Sequence, residues 1–271
     1  MKIVSFNVNS IRIRLHQIET VIKNHAPDVI GLQETKVQDK EFPVEDIEKL
    51  GYHVEYFGQK TNYGVAIMSK NKPSKVSKGF VDDDEESQKR IISIDVKSDT
   101  GKKITIINGY FPQGENRSHE TKYPAKQKFY ADLLSLLEQG YKKTGKLVVI
   151  GDFNVAPVDN DIGIGADNAK RWIRTGATCF LPEEREWLQK IMDWGLIDTY
   201  REKYPDEDQL FSWFDYRSKG FDRDPKRGLR IDHILATRSV AKHIVDSGMD
   251  YEVRAMEKPS DHCPVWTEFD I

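Results

Sequence analysis

The segment LVVIGDFNVAP, Leu147–Pro157, runs from four apolar residues directly into a glycine, an aspartate, an asparagine and a proline. The apolar part is typical of a buried strand, and the polar part ends that strand. Residues two apart on an extended chain point to the same side, so Asp152 and Asn154 are expected to project together into one cavity. A simple turn is the alternative interpretation, because Gly, Asp, Asn and Pro all favour turns.

The same pattern, an apolar strand with polar side chains at its end, recurs three more times. The stretch GLQET carries Glu34, SFNVN carries Asn7 and INGYFPQG carries Tyr110. Because α/β proteins bind ligands at the carboxyl ends of strands, we expect these groups to meet at a common rim. Taken singly, Glu34 could be an exposed loop carboxylate, Asn7 a strand-end hydrogen bonder, and Tyr110 a core residue with a bonded hydroxyl.

Two Asp-His dipeptides, Asp232-His233 and Asp261-His262, complete the set of polar candidates. Alternation along the strand LRIDHILA puts His233 on the face opposite to Asp232, so only Asp232 is expected to face the site. The second pair lies in the turn-rich stretch KPSDHCP, which suits either a catalytic loop or an ordinary surface histidine. Cys263 leads directly into a strand, and we do not expect it to act as a nucleophile.

Four carboxylates in this set, Glu34, Asp152, Asp232 and Asp261, would repel one another and take up protons unless a cation held them ionised. Oxygen ligands without a Cys or His cluster favour Mg²⁺, or Mn²⁺, over zinc. The sequence contains no C-x-x-C, H-E-x-x-H or P-loop motif, which disfavours zinc hydrolysis and nucleotide-driven transfer.

The expected chemistry is phosphate-ester hydrolysis. Such reactions require barrier lowering of roughly 8 to 23 kcal/mol, whereas one general base supplies a rate factor of only about 10² to 10⁴. A divalent ion that neutralises developing charge, surrounded by amide, imidazole and phenol donors, can supply much of the remainder.

Composition bounds the class of protein. The 271 residues are 38% hydrophobic and 31% charged, with no linker-like stretch, which predicts a single domain over 1–271. No apolar run is long enough for a membrane span or a signal peptide, and the two cysteines make a poor disulfide framework, so a location in the cytoplasm is expected. The protein is also expected to be a monomer.

Charge is uneven along the chain. A net charge of -3 does not by itself indicate nucleic-acid binding. The segment 217–230, RSKGFDRDPKRGLR, holds six Lys or Arg against two Asp, while Asp82–Glu86 is entirely acidic. Each is typical of a solvated loop, and each becomes informative only beside a catalytic site.

The periodicity predicts an α/β protein whose sheets are covered by helices. Strands are predicted at 2–9, 28–34, 64–70, 90–97, 103–111, 146–155, 229–237 and 263–271, and helices at 14–24, 124–140 and 182–195.

The motifs also resemble those of a known family. From SFNVNSIR through DVIGLQETK, INGYFPQGE, GDFNVAP, FLPEEREW, FSWFDYRSKGF and KPSDHCPVW, the chain resembles the exonuclease III group of the endonuclease/exonuclease/phosphatase superfamily, Mg²⁺-dependent phosphodiesterases. The resemblance implies a four-layer α/β sandwich, in which two mostly antiparallel or mixed sheets pack face to face under outer helices.

The resemblance also implies residue roles. The implied catalytic residues are Tyr110, Asp152, Asn154, Asp232, Asp261 and His262. The implied metal ligands, for one or two ions, are Asn7, Glu34, Asp152, Asn154 and Asp261. Asp152 is expected to orient or deprotonate water, Tyr110 and His262 to contact the phosphate, and Asp232 to orient His262.

The implied substrate is double-stranded DNA with abasic sites or 3′ ends. The implied DNA-binding residues are Arg90, Gln113, Lys122, Trp213, Arg217, Leu229, Ile231 and His262. Among them, Trp213, Leu229 and Ile231 match an apolar pocket for a flipped-out abasic sugar, which costs less to extrude than a paired nucleotide. The basic segment 217–230 is interpreted as a grip on the DNA backbone.

The implied activities are cleavage 5′ of abasic sites, 3′-to-5′ exonuclease action on double-stranded DNA, and 3′-phosphatase and 3′-phosphodiesterase action. One alternative is another phosphodiesterase of the same superfamily that acts on phosphoinositide or sphingomyelin. A second alternative is a DNA-binding protein without catalysis.

Overall fold

The computed structural model describes residues 1–98 and 100–271, which form two six-stranded sheets. The first sheet contains β1 (Lys2–Asn7), β2 (Val29–Gln33), β3 (His53–Phe57), β4 (Val65–Ser69), β11 (Ile244–Met249) and β12 (Val265–Phe269). The second contains β5 (Lys75–Lys78), β6 (Ile91–Lys97), β7 (Lys103–Tyr110), β8 (Leu147–Asp152), β9 (Leu196–Asp198) and β10 (Asp232–Thr237).

The α-helices of the described residues lie between these strands. They are α1 (Leu15–His25), α2 (Val44–Glu48), α3 (Lys122–Gly140), α4 (Ala166–Thr175), α5 (Pro182–Asp193), α6 (Thr199–Lys203), α7 (Arg238–Ala241) and α8 (Tyr251–Arg254). None of the helices in this part of the chain combines the length and the apolar character that crossing a membrane requires.

Both sheets are mixed. The first has the order β11-β12-β1-β2-β4-β3, with β1 parallel to β2, and the second has the order β5-β6-β7-β8-β10-β9, with β7 parallel to β8. The other strand pairs described are antiparallel. The two sheets face each other across a shared core and helices pack on their outer faces, so the predicted four-layer sandwich is confirmed.

The sheets meet through β-branched residues. Ile3 and Ile67 of the first sheet share one buried cluster with Ile106 and Ile150 of the second. On the far side of the second sheet, α3 and α5 contribute Phe129, Leu133, Leu137, Leu188 and Ile191 to a second buried cluster. Each fully buried side chain of this size stabilises the fold by about 1.5 to 3 kcal/mol, so the core holds the strand ends in fixed positions.

All eight predicted strands and all three predicted helices are present, with boundaries shifted by a few residues. The four strands that the sequence did not predict, β3, β5, β9 and β11, are the edge strands of the two sheets. Edge strands are only partly covered, and their sequences mix polar with apolar residues. They therefore lack the apolar runs that mark the central strands.

Candidate active site

Three neighbouring strands of the second sheet bring polar side chains into one row. Tyr110 at the end of β7 is in register with Asp152 at the end of β8, and Asp152 is in register with Asp232 at the start of β10. Asp152 and Asp232 are almost completely buried. The antiparallel direction of β10 explains why its first residue, rather than its last, reaches the rim.

The first sheet supplies Asn7 and Glu34 to the same rim. The Asn7 amide nitrogen donates to Glu34 Oε1 at 3.0 Å and to Asp152 Oδ2 at 2.9 Å. Asn7 is fully buried, and its amide oxygen accepts from the Asn9 backbone at 3.0 Å. Asn7 therefore joins the carboxylates of the two sheets as a donor.

Glu34 lies in a left-handed backbone conformation with φ of 51°. Burial raises the pKa of Glu34, but Lys36 Nζ at 2.9 Å, Asn7 and Tyr110 stabilise the carboxylate, and the net effect lowers its pKa. Burial and the nearby Glu34 and Asp152 carboxylates raise the pKa of Tyr110. At neutral pH the site thus holds an ionised Glu34 beside a neutral phenol that donates to it.

His262 reaches the row from the loop before β12. Its Nδ1 lies 2.8 Å from Asp232 Oδ2, and its Nε2 lies 3.8 Å from Asp152 Oδ2. Burial lowers the pKa of His262, but Asp232 and Asp152 outweigh it and raise that pKa to about 10. His233 points elsewhere, into contact with the Val155 carbonyl, as strand alternation predicted.

The donor set fits a hard divalent cation. Ligand atoms of Glu34, Asp152 and His262 lie within 4.8 Å of one another. Burial and the nearby Asp232 and Glu34 carboxylates outweigh His262 and raise the pKa of Asp152 to about 8. A bound cation would offset the free-energy cost of ionising this carboxylate. A protonated imidazole has no free lone pair, which leaves the carboxylates as the ligands.

Asn154 lies beside Asp152, but not by strand alternation. The strand ends at Asp152, and Asn154 has a left-handed φ of 53°. Its backbone N–H donates to Asp152 Oδ1 at 3.0 Å, and its side-chain nitrogen donates to the Phe111 carbonyl at 3.0 Å. The turn interpretation of this segment is therefore confirmed, and the expectation that strand alternation projects Asn154 beside Asp152 is wrong, because the chain turns after Asp152 and the turn holds the Asp152 carboxylate. The roles of both residues at the site stay predictions.

Asp261 occupies a separate position next to the carboxylate row. Its two oxygens accept from Asn9 Nδ2 at 2.8 Å and from Trp213 Nε1 at 3.0 Å. Burial raises the pKa of Asp261, but His262, Asn9 and Trp213 stabilise the carboxylate and lower that pKa. Asp261 thus links the site to the Trp213 loop.

Sequence reasoning missed two contributors, Asn9 and Lys36. Lys36 Nζ contacts Glu34 and also donates to Asn9 Oδ1 at 2.6 Å, so the two residues connect Glu34 to Asp261. Each lies two positions after a predicted site residue, in SFNVN and QETK. That spacing was the available signal.

The predicted sugar pocket is only partly open. Leu229 and Ile231 are fully buried in an apolar cluster, whereas Trp213 is half-buried and lines a cavity of about 200 Å³. Trp172 and Arg227 line the same cavity. Leu229 and Ile231 pack in that cluster with Trp172 and Trp213 and are not among the residues that line the cavity, whereas α4 supplies one of its walls.

The basic segment 217–230 divides into two parts. Arg217 is exposed, as expected for a residue that contacts DNA. Arg230 is 1% exposed, and its Nε lies 2.6 Å from Asp161 Oδ1 while its Nη2 lies 2.7 Å from Asp198 Oδ2. The interpretation of the whole segment as a DNA grip is therefore wrong for Arg230, because its charge is used inside the fold.

Arg90, Gln113 and Lys122 line one cavity of about 250 Å³ together with Tyr63 and Tyr110. Arg90 is only 7% exposed, and its guanidinium lies 4.0 Å from the Tyr63 ring centroid and 4.6 Å from that of Tyr110. Gln113 and Lys122 are exposed. Arg90 thus supports Tyr110 directly, while its DNA contact stays a prediction.

A model of the Endonuclease/Exonuclease/phosphatase family matches residues 4–262. Exodeoxyribonuclease III of Haemophilus influenzae is 55% identical over 269 residues, covering 99% of this chain and 100% of that protein. An AP endonuclease structure from Archaeoglobus fulgidus matches with a TM-score of 0.90, and a Neisseria 3′ phosphatase bound to a product DNA hairpin with 0.89. Both are 36% identical and match over 100% of each chain. Because the family match spans nearly the whole sequence, this chain belongs to the endonuclease/exonuclease/phosphatase family.

Proposed function

We propose that this protein is a Mg²⁺-dependent DNA-repair phosphodiesterase of the exodeoxyribonuclease III type. It cleaves DNA 5′ of abasic sites, degrades double-stranded DNA from 3′ ends and removes 3′ phosphates and other 3′ blocking groups. The observation that carries the proposal is the convergence of Glu34, Asp152 and His262 within 4.8 Å. The relatives named as an exodeoxyribonuclease III, an AP endonuclease and a 3′ phosphatase support the same substrate class.

The metal would be held by carboxylates. Glu34, ionised and supported by Asn7, would ligate Mg²⁺ or Mn²⁺, with Asp152 beside it. Asn7, Asn154 and Asp261 stay predicted metal ligands, for one or two ions. When bound, the cation polarises a phosphoryl oxygen and neutralises developing negative charge.

The side chains perform the remaining steps. Protonated His262, held by Asp232, donates to a non-bridging phosphate oxygen, and the neutral Tyr110 hydroxyl is a second donor. Asp152 accepts the proton of the attacking water. The water oxygen forms its bond to phosphorus as the P–O3′ bond breaks. The 3′ oxygen leaves and takes up a proton from solvent water to become the new 3′-hydroxyl.

The DNA would bind across the rim on both sides of this row. Arg227 is exposed and lines the Trp213 cavity, and Arg217 is exposed in the same basic segment. Gln113 and Lys122 are exposed and line the Tyr110 cavity. Cationic side chains on either side of the scissile phosphate would neutralise backbone charge without reading sequence. The extruded abasic sugar would enter the cavity beside Trp213.

A duplex that carries one abasic site and an end label tests the proposal. Incubation with Mg²⁺ should first give a product cut 5′ of the site with a 3′-hydroxyl, which is then shortened from its 3′ end at later times, and EDTA should abolish both steps. The Asp152→Asn variant should lose activity by orders of magnitude. Cleavage of phosphoinositide or sphingomyelin in place of the abasic duplex would contradict the substrate, and cleavage in EDTA would contradict the metal.

Three further properties belong to the proposal. We propose one catalytic domain over 1–271, a monomer in solution, and action in the cytoplasm. Cys179 and Cys263 are both buried free thiols, which suits a reducing compartment.

A further inference from the structure

Lys126 is a completely buried lysine that the chemistry above does not use. Its Nζ lies 2.5 Å from Glu184 Oε1, and both side chains have no exposed surface. Taking two charges out of water is costly, and apolar pairs of similar size often stabilise a fold as well or better. Stability alone therefore does not account for this ion pair.

The ammonium group of Lys126 has two more partners, and both are backbone carbonyls near the site. Nζ donates to the Asn154 carbonyl at 2.8 Å and to the Gln113 carbonyl at 3.3 Å. With Glu184 as the third acceptor, all three ammonium hydrogens have a partner. Lys126 thus joins α3 to the loops that follow β7 and β8.

Those two loops begin directly after Tyr110 and Asp152, the last residues of β7 and β8. Asn154 has a left-handed backbone conformation. Its N–H donates to Asp152 Oδ1, and its carbonyl accepts from Lys126 Nζ. The Asn154 side chain bonds the Phe111 carbonyl in the neighbouring loop. A change in the Asn154 peptide would therefore move the Asp152 carboxylate relative to the groups around it.

We propose that Lys126 is a positioning residue, whose buried ammonium group fixes the Asn154 turn and thereby the orientation of the Asp152 carboxylate. Glu184 keeps the ammonium in place, and its Oε2 accepts from the Leu181 N–H at 2.8 Å at the start of α5. The inference deepens the proposed function, because it depends on Asp152 acting at the reacting phosphate.

The test compares two changes to the ion pair. The double variant Lys126→Met with Glu184→Met removes both charges together, so neither is left buried alone, and it removes the donor to Asn154. Glu184→Gln removes the ion pair but keeps that donor. The parent protein and both variants are assayed on the abasic duplex with Mg²⁺, well below their melting temperatures.

Positioning predicts that the double variant loses kcat by about 10- to 100-fold with KM changed less than about threefold, since small displacements of reacting groups are costly. Glu184→Gln should keep kcat within about threefold of the parent even if its melting temperature falls. A folded double variant with parental kcat would overturn the inference. Loss of kcat in Glu184→Gln equal to that of the double variant would also overturn it.

Hydrogen exchange gives a readout that is independent of activity. In the double variant, the amides of 152–156 should exchange at least about tenfold faster than in the parent, while the amides of β1 exchange at the parental rate. In Glu184→Gln, the amides of both segments should exchange at the parental rate. Unchanged exchange at 152–156 in the double variant overturns the positioning role.

If the double variant does not fold, the variant Lys126→Gln with Glu184→Gln replaces it. Its kcat should lie between that of the parent and the value expected for the double variant, and a parental kcat would again contradict the inference. Failure of the parent itself to cleave the duplex would instead contradict the proposed function.

Discussion

Asn7 of one sheet donates a 2.9 Å hydrogen bond to Asp152 of the other, and the same nitrogen donates to Glu34 at 3.0 Å. One buried amide thus sets the separation of two carboxylates that come from different layers of the sandwich. Sheets that pack through apolar side chains alone would fix this separation less well, because dispersion contacts are not directional.

Replacing Asn7 with Ala should lower kcat by about 10- to 100-fold, the usual cost of losing a residue that orients metal-binding groups. Two carboxylates would lose their shared donor and repel each other more strongly. Steady-state kinetics across a Mg²⁺ titration measure the effect. Asn62→Ala, on an exposed loop, is the matched control, and a parental kcat in Asn7→Ala would rule out the bridging role.

The Asp232→Asn change should move the alkaline limb of the pH–rate profile to lower pH. Against burial, Asp232 is the largest influence that raises the pKa of His262 to about 10, so the protonated imidazole persists through neutral pH. Without that carboxylate the pKa falls, and the protonated form is lost as pH rises through the new value. Asp206→Asn, which is exposed, should leave the profile unchanged. An unmoved alkaline limb in Asp232→Asn would show that His262 does not act as a protonated donor.

Mg²⁺ binding at pH 7 should release protons. Burial and the neighbouring carboxylates raise the pKa of Asp152 to about 8, so the metal-free site retains a proton that a cation would expel. Calorimetric titration in two buffers of different ionisation enthalpy counts the protons. The expected release is on the order of one proton in the parent and less in Asp152→Asn. Equal heats in the two buffers would contradict a protonated Asp152.

Arg230→Met should destabilise the fold by about 3 to 5 kcal/mol, because it leaves Asp198 buried without its arginine and takes from Asp161 one of the two arginines that contact it, the other being Arg201. Urea unfolding measures the change. Although burial raises the pKa of Asp198, Arg230 lowers it to about 2. The ionised Asp198 therefore contributes its full stabilisation above about pH 4, the ordinary pKa of an aspartate. That contribution is lost as pH falls through 2.

Arg217→Met is the matched exposed change in the same basic segment. It should alter the free energy of unfolding by less than about 0.5 kcal/mol. It should weaken binding to abasic and intact duplexes alike. The slope of log K, the DNA association constant, against the logarithm of salt concentration should become smaller in magnitude by about one. Binding measured at several salt concentrations tests this, and an unchanged slope would place Arg217 outside the DNA interface.

The sequence by itself determined the eight central strands and the polar residues at their ends. Continuous apolar runs mark a strand that is covered on both faces, so Leu147–Asp152 could be recognised without any partner. The edge strands could not, because half-exposed positions accept polar residues. Alternation also predicted that Asp232 and His233 would face opposite ways, since it depends only on the local backbone.

Only the tertiary structure decided which polar groups touch. Strand register placed Tyr110 and Asp232 on either side of Asp152, and the facing sheet added Asn7. The same packing put the charges of Lys126 and Arg230 inside the fold, although helix periodicity and charge density gave no sign of it. A local sequence pattern determines which face of its own helix or strand a residue occupies, whereas burial and ion pairing depend on residues that are distant in the chain.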